Sequence, residues 1–101
     1  MSKDTLRERQ IVSATLRLLK TELSPKRIIL FGSRAKGRAR HGSDFDIAVD
    51  ARVPASTKKH FLQEQIEKFS GLYRVDLVFL GRVSKGFRRI IESTGKVLYE
   101  R

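Results

Sequence analysis

The chain of 101 residues contains no cysteine. Disulfide bonds and thiolate metal sites are therefore excluded, and the composition fits a reducing cytosol. No apolar run is long enough to span a bilayer, and the N-terminal MSKDTLRERQ lacks the apolar core of a signal peptide. These absences predict a cytoplasmic protein that does not associate with membranes.

Acidic residues are scarce: 11 Asp and Glu stand against 22 Lys and Arg, which leaves a net charge of +11. Such an excess indicates anionic partners, such as nucleotides, nucleic acid or an acidic protein. The charges are also segregated along the chain. Residues 27–40 hold five cations and no acid, whereas residues 41–50 hold Asp44, Asp46 and Asp50 and no Lys or Arg.

Hydrophobic periodicity predicts an α/β fold in one domain that spans residues 1–101. The order of elements favours a sheet with its helices packed on one face, with KVLYE as a short edge strand and a short helical turn after Gly32-Ser33. The other predicted elements are a helix at 5–23 capped by Asp4 and strands at 27–31, 44–50 and 73–80. A second helix is capped by Ser56 or Thr57 and ends at Ser70-Gly71, and a third is capped by Ser84 and has Gly95 at its C′ position.

Gly32-Ser33 ends a buried strand, and backbone amides in the following turn would suit a phosphate group. An ordinary strand-to-helix turn is the plainer interpretation, but the five neighbouring cations favour phosphate. We assign Arg34, beside the turn, to phosphate and leave the other cations of the loop undecided. A Walker nucleotide site is rejected, because Arg38-Ala39 stands where that motif requires Lys and Ser or Thr.

Asp44 and Asp46 alternate with apolar residues on one strand, so their side chains share a face with Cα atoms about 6.5 Å apart. That spacing lets both carboxylates reach shared cations, and hard oxygen ligands suit Mg²⁺. A solvated outer strand face is the alternative interpretation.

Asp76 lies in YRVDLVFL, a run otherwise suited to the interior. An acid at such a position must be ion-paired, bound to a metal or placed at a sheet edge. A salt bridge, to Arg74 or to an arginine of the basic loop, is as plausible as a functional role. If the side chain faces the same side as Asp44 and Asp46, the three acids complete a two-metal site for phosphoryl displacement.

Other polar and aromatic residues receive plainer interpretations. Asp50 is too far along the strand from Asp44 to share its ligand and is expected to be structural. The two histidines, His41 and His60, are expected at the surface, and the two tyrosines, Tyr73 and Tyr99, are expected to pack against other residues.

Gly32-Ser33, ten residues, then Asp44-Phe45-Asp46-Ile47, followed by Asp76 in VDLV, resembles the nucleotidyltransferases of the DNA polymerase β superfamily. The likeness is greatest to the small stand-alone members called minimal or MNT-domain nucleotidyltransferases. FGSRAKGRARHGSDFDIAV and the ending IIESTGKVLYER both look like that subfamily, so the resemblance covers nearly the whole chain.

The resemblance implies a polymerase β-like fold, a mixed sheet flanked by helices. It further implies transfer of a nucleoside monophosphate, AMP from ATP in our interpretation, to a hydroxyl group. Gly32 and Ser33 would hold the triphosphate, and Asp44, Asp46 and Asp76 would be catalytic residues and ligands of two Mg²⁺ ions. Minimal members often act with a helical HEPN-type partner, and some modify a tyrosine of that partner, which would make this chain the antitoxin of a toxin–antitoxin pair.

Two other functions stay open. A non-catalytic basic module could neutralise a partner or bind RNA through its charge. An enzyme of the same superfamily could use a nucleic acid or an antibiotic as its acceptor, although the short chain argues mildly against this.

Overall fold

The computed structural model describes residues 3–37 and 44–101. None of the helices in this part of the chain is long and apolar enough to cross a membrane. A short 3-10 turn, Leu80–Arg82, follows the third strand. The helices and strands are α1 (Lys3–Leu23), β1 (Arg27–Phe31), β2 (Phe45–Asp50), α2 (Ser56–Ser70), β3 (Val75–Phe79), α3 (Lys85–Thr94) and β4 (Lys96–Glu100).

The four strands form one sheet in the order β3-β2-β1-β4. β1 runs antiparallel to both β2 and β4, whereas β2 and β3 run parallel. The parallel pair is joined by α2, as a crossover connection requires. The predicted mixed sheet with flanking helices is confirmed.

The helices cover both faces of the sheet, so the expectation of helices on one face is wrong. On one face, Ile28 and Ile47 pack with Ile11 of α1 and Ile66 of α2. On the other face, a smaller cluster joins β1 and β2 to the 3-10 turn and α3 through Ile29, Ala48, Leu80 and Ile91. The reason is visible in RIILF: adjacent apolar residues on a strand point to opposite faces, and each face needs cover.

Helix ends agree only in part with the predicted caps. Ser84 caps α3, because its Oγ accepts a hydrogen bond from the backbone N–H of Phe87 at 3.2 Å. The predicted cap of α2 is wrong: Ala55 holds the N-cap position, and Ser56 is the first helical residue. Asp4 lies within α1 rather than before it.

An ion-pair network fixes α3 to the sheet at the end remote from the Gly32 turn. Arg27 on β1 donates from Nε to Asp50 at 3.0 Å and from Nη2 to Glu92 of α3 at 2.7 Å. These hydrogen bonds raise the pKa of Arg27, and the bond from Arg27 lowers the pKa of Glu92. Asp50 therefore has the structural role that its position predicted.

Gly95 allows α3 to end close against β1. Its φ is an ordinary −79°, but a Cβ there would lie 2.5 Å from Cγ2 of Ile29 and 2.5 Å from the carbonyl oxygen of Ile91. Gly95→Ala is expected to lower the free energy of unfolding by about 1–3 kcal/mol through this overpacking. The measurement is urea unfolding followed by circular dichroism.

Gly86→Ala is the matched control on the same helix. A Cβ at Gly86 meets nothing within 4 Å, so alanine should raise stability by about 0.5–1 kcal/mol through its higher helix propensity. Equal stability of the two variants would show that Gly95 is not held by close packing.

Candidate active site

The turn after β1 passes close to an acidic side chain of β2. Phe31, the last residue of β1, is the register partner of Asp46. The next residue, Gly32, has a φ of +76°, and a Cβ there would lie 2.5 Å from Oδ2 of Asp46. Glycine is therefore needed at position 32 both for its left-handed backbone and for the space that the carboxylate occupies.

The predicted helical turn at this point is not a helix in the described residues. Residues 32–37 form a tight turn in which the N–H of Lys36 donates to the carbonyl of Gly32 at 3.3 Å. Ser33 and Lys36 are exposed on this turn. Arg38, Arg40 and His41 lie outside the described residues.

Three acids meet beside this turn. Asp46 and Asp76 are register partners on the parallel strands β2 and β3, so their side chains lie side by side on the same face. Asp44 is two residues before Asp46 and exposed, and an extended chain brings it to the same face. We call Asp44, Asp46 and Asp76 the acid cluster.

The environment of the acid cluster disfavours the charged form of Asp46. Burial raises the pKa of Asp46, the charges of Asp76 and Asp44 raise it further, and the charge of Arg74 lowers it. Raised pKa values from burial and like charges are typical of functional carboxylates, although ion-pair networks also produce them.

Arg74 is the cation that contacts the cluster. Its Nε donates to Oδ1 of Asp76 at 2.9 Å. This is the salt bridge that the sequence offered as the alternative explanation of Asp76. The pair is exposed, with 72 % of the Arg74 side chain and 36 % of the Asp76 side chain open to solvent, so it leaves Asp76 accessible to a ligand.

An open cleft of about 580 Å³ adjoins the cluster. The cleft runs along β3, the edge strand of the sheet, and is lined by Arg74 and Asp76 and by Gln63 and Glu67 of α2. Since α2 packs on the face opposite to the acid cluster, the cleft meets the cluster at this edge, through Asp76. A second cleft, of about 390 Å³, lies between α1 and the sheet beside Phe45. Because Phe45 and Asp46 point to opposite faces, the second cleft lies on the other side of the sheet from the acid cluster.

Comparison with known families agrees with this geometry. The polymerase beta nucleotidyltransferase family matches residues 14–101, which include the turn and all three acids. The chain belongs to this family. The resemblance drawn from the motifs is confirmed, and with it the prediction that the chain is a nucleotidyltransferase.

Relatives within the polymerase beta nucleotidyltransferase family are similar over most of their length. Protein adenylyltransferase MntA of Thermococcus cleftensis is 34% identical over 93 residues, which cover 90% of this chain and 93% of the relative. A toxin–antitoxin crystal structure with AMP-PNP matches with a TM-score of 0.72 and 28% identity, over 85% of this chain and 70% of that one. A structure of the tri-AMPylated Shewanella oneidensis HEPN toxin in complex with MNT antitoxin matches with a TM-score of 0.67 and 26% identity, over 97% and 73%.

The acid cluster of this nucleotidyltransferase fits divalent cations in donor type and in charge, because Asp46 is a partly buried carboxylate whose pKa two neighbouring carboxylates raise further. The side chains of the described residues do not by themselves form a complete metal site. Within residues 3–37 and 44–101, no three acid or histidine side chains are arranged to hold a metal ion. Mg²⁺ sites of this kind also use water and substrate phosphates as ligands. The metal-binding roles of Asp44, Asp46 and Asp76 stay predictions.

Arg34, predicted to contact phosphate, lies in a packed environment on the α1 face. Its side chain is 9 % exposed, its Nη1 lies 3.2 Å from Oε2 of Glu8 on α1, and its guanidinium lies 3.9 Å from the centre of the Phe45 ring. These contacts give Arg34 a structural role in joining α1, the turn and β2. Its phosphate contact stays a prediction.

The described members of the last group, His60, Tyr73 and Tyr99, lie where their plain interpretations placed them. Tyr73 packs against Phe45, with ring centres 5.9 Å apart, and Lys20 lies over the Tyr99 ring. His60 is exposed and pairs with Glu64. The close approach of Gly32 to Asp46 was missed, since a sequence shows that a glycine ends a strand but not what lies opposite.

Proposed function

We propose that the chain transfers AMP from ATP to a hydroxyl group of a partner protein, and that it is the antitoxin of a HEPN/MNT toxin–antitoxin pair. The observation that carries the proposal is the register pairing of Asp46 with Asp76 beside the Gly32 turn. The adenylyltransferase relative and the complex with an AMPylated HEPN toxin support the donor, the reaction and the class of partner.

Each part of the site has a distinct task in this proposal. The Gly32-Ser33 turn holds the triphosphate, and the acid cluster holds two Mg²⁺ ions. When bound, the ions supply Lewis-acid polarisation of the phosphate oxygens and orient the triphosphate. Arg34 is retained as a proposed contact to phosphate. The short chain leaves little material to select an acceptor, so selection falls to the partner. The partner's hydroxyl would approach at the β3 edge of the sheet, where the open cleft reaches Asp76.

Transfer of AMP forms one bond to phosphorus and breaks another. The acceptor hydroxyl oxygen forms a bond to the α-phosphorus of ATP, and the bond from that phosphorus to the bridging oxygen of the β-phosphate breaks. Pyrophosphate leaves with the electron pair. Asp76, at the edge of the cleft, takes the hydroxyl proton, because it is the member of the cluster that lines this opening.

Label transfer tests the proposal. The purified chain is incubated with its HEPN-type partner, Mg²⁺ and ATP that carries radiolabel on either the α- or the γ-phosphate. Label from α-labelled ATP should appear on the partner and label from γ-labelled ATP should not, which separates nucleotidyl from phosphoryl transfer. Asp44→Ala with Asp46→Ala should abolish the transfer, because it removes two of the three acids.

The control for loss of an acid from the same strand is Asp50→Asn, which leaves the acid cluster intact and should keep transfer within a few-fold of wild type. Transfer that survives the double substitution would refute the catalytic proposal. The net charge of +11 favours one rival, a basic RNA-binding module. Salt-sensitive RNA binding without any label transfer would support that rival instead.

A further inference from the structure

Arg74 lies at the open end of the acid cluster and on the same face. Its backbone carbonyl accepts a hydrogen bond from the N–H of Phe45 at 2.9 Å, so residue 74 continues the pairing of β2 with β3 by one position. Side chains two residues apart on a strand share a face. Arg74 therefore projects beside Asp76, where its Nε reaches Oδ1 at 2.9 Å.

The ion pair occupies an atom that a metal ion would use. Asp76 offers two carboxylate oxygens, and Oδ1 is held by the guanidinium. The guanidinium and a divalent cation are both attracted by the same negative charge, so their binding is antagonistic. The Arg74 side chain is 72 % exposed, and ion pairs this exposed are weak and easily exchanged. The arginine can thus leave without disturbing the fold.

We propose that Arg74 is an internal counter-ion that competes with the metal ions of the active site for Asp76. In the metal-free protein it offsets the repulsion among the three carboxylates, and it is displaced when a divalent cation binds. This inference rests on the proposed function, in which Asp76 is a metal ligand. In this proposal Arg74 is a positioning residue, because its contact with Asp76 sets the concentration of divalent cation at which the active site binds metal.

The probe is Mn²⁺ alone, titrated into the purified chain without nucleotide and followed by electron paramagnetic resonance. Arg74→Gln should tighten Mn²⁺ binding about threefold to fivefold, the upper part of the range expected from loss of an exposed ion pair. Arg74→Lys, which keeps the positive charge, should bind Mn²⁺ nearly as wild type does. In EDTA, Arg74→Gln should also melt at a lower temperature than wild type, and its gain in melting temperature with Mn²⁺ should be larger.

Arg88→Gln is the matched control, because it removes the same charge from an arginine that pairs with Glu92 on α3 at 3.3 Å instead of with the acid cluster. It should change Mn²⁺ affinity less than about twofold, since the charge of Arg88 is paired with Glu92, is not among those that shift the pKa of Asp46, and is screened by salt. An equal gain in affinity in Arg74→Gln and Arg88→Gln would overturn the inference, because general charge would then explain it.

Other outcomes separate this inference from the proposed function. Unchanged Mn²⁺ affinity in Arg74→Gln, with label transfer intact in wild type, overturns the competition alone. Weaker Mn²⁺ binding in Arg74→Gln also overturns it and shows that Arg74 orients Asp76 for the metal. If neither wild type nor the variant binds Mn²⁺, the competition and the two-metal site fail together.

Discussion

Asp46→Asn is expected to abolish AMP transfer and, in the same variant, to raise the thermal stability of the metal-free protein. Transfer should fall by about 10³-fold or more, because metal ions supply several kcal/mol of transition-state stabilisation and each ~1.4 kcal/mol is a factor of ten in rate. The measurement is single-turnover label transfer at saturating ATP. A fall of less than tenfold would remove Asp46 from the proposed metal site.

The gain in stability follows from the raised pKa of Asp46, which burial and the charges of Asp76 and Asp44 cause. The folded protein holds this proton more tightly than the unfolded chain, whose pKa is near 3.8. Ionised Asp46 therefore costs stability. This cost begins above pH 3.8, grows as the pH rises through the folded pKa and is fully present beyond it. Asparagine has the same shape and no charge.

In EDTA, the melting temperature of Asp46→Asn should exceed that of wild type at pH 7, and the two should converge as the pH falls towards 3.8. Asp50→Asn is the control on the same strand. It removes the negative charge that pairs with Arg27 at 3.0 Å and should lower the melting temperature at pH 7. If Asp46→Asn melts below wild type at pH 7, repulsion within the acid cluster does not limit stability.

Gly32→Ala is expected to lower AMP transfer by about 100-fold, the loss that a displacement of about 1 Å in a reacting group can produce. An alanine Cβ would stand 2.5 Å from Oδ2 of Asp46, so the turn or the carboxylate must move. Because the same turn is proposed to hold the triphosphate, either movement separates the phosphate site from the acid cluster.

Gly37→Ala isolates this effect from backbone strain. Gly37 also has a left-handed φ, +70°, but a Cβ there meets nothing within 4 Å. Both variants should lose about 1–2 kcal/mol of stability from the left-handed backbone, measured by urea unfolding, whereas only Gly32→Ala should lose transfer. Equal activity of the two variants would contradict a role for the close approach of Gly32 to Asp46.

Much of this architecture follows from local patterns. Alternating apolar residues define β2 and the continuous apolar run RIILF defines β1, and the Ser84 cap marks the start of α3. The acids could be recognised because Asp44 and Asp46 have the spacing of one strand face and because an acid at position 76 is anomalous within an apolar strand. Each of these signals lies within one element, where the period of the backbone decides which side chains share a face.

Contacts between different helices, strands and turns could not be predicted from local spacing. The sequence by itself determined the strands, most of the helices and the family motifs, since these depend on local spacing and residue type. The tertiary structure decided that Asp46 and Asp76 are register partners, that a Cβ at position 32 has no room, and that Arg74 pairs with Asp76. Packing set these contacts, because strand register and the cover of both sheet faces depend on residues far apart in the chain.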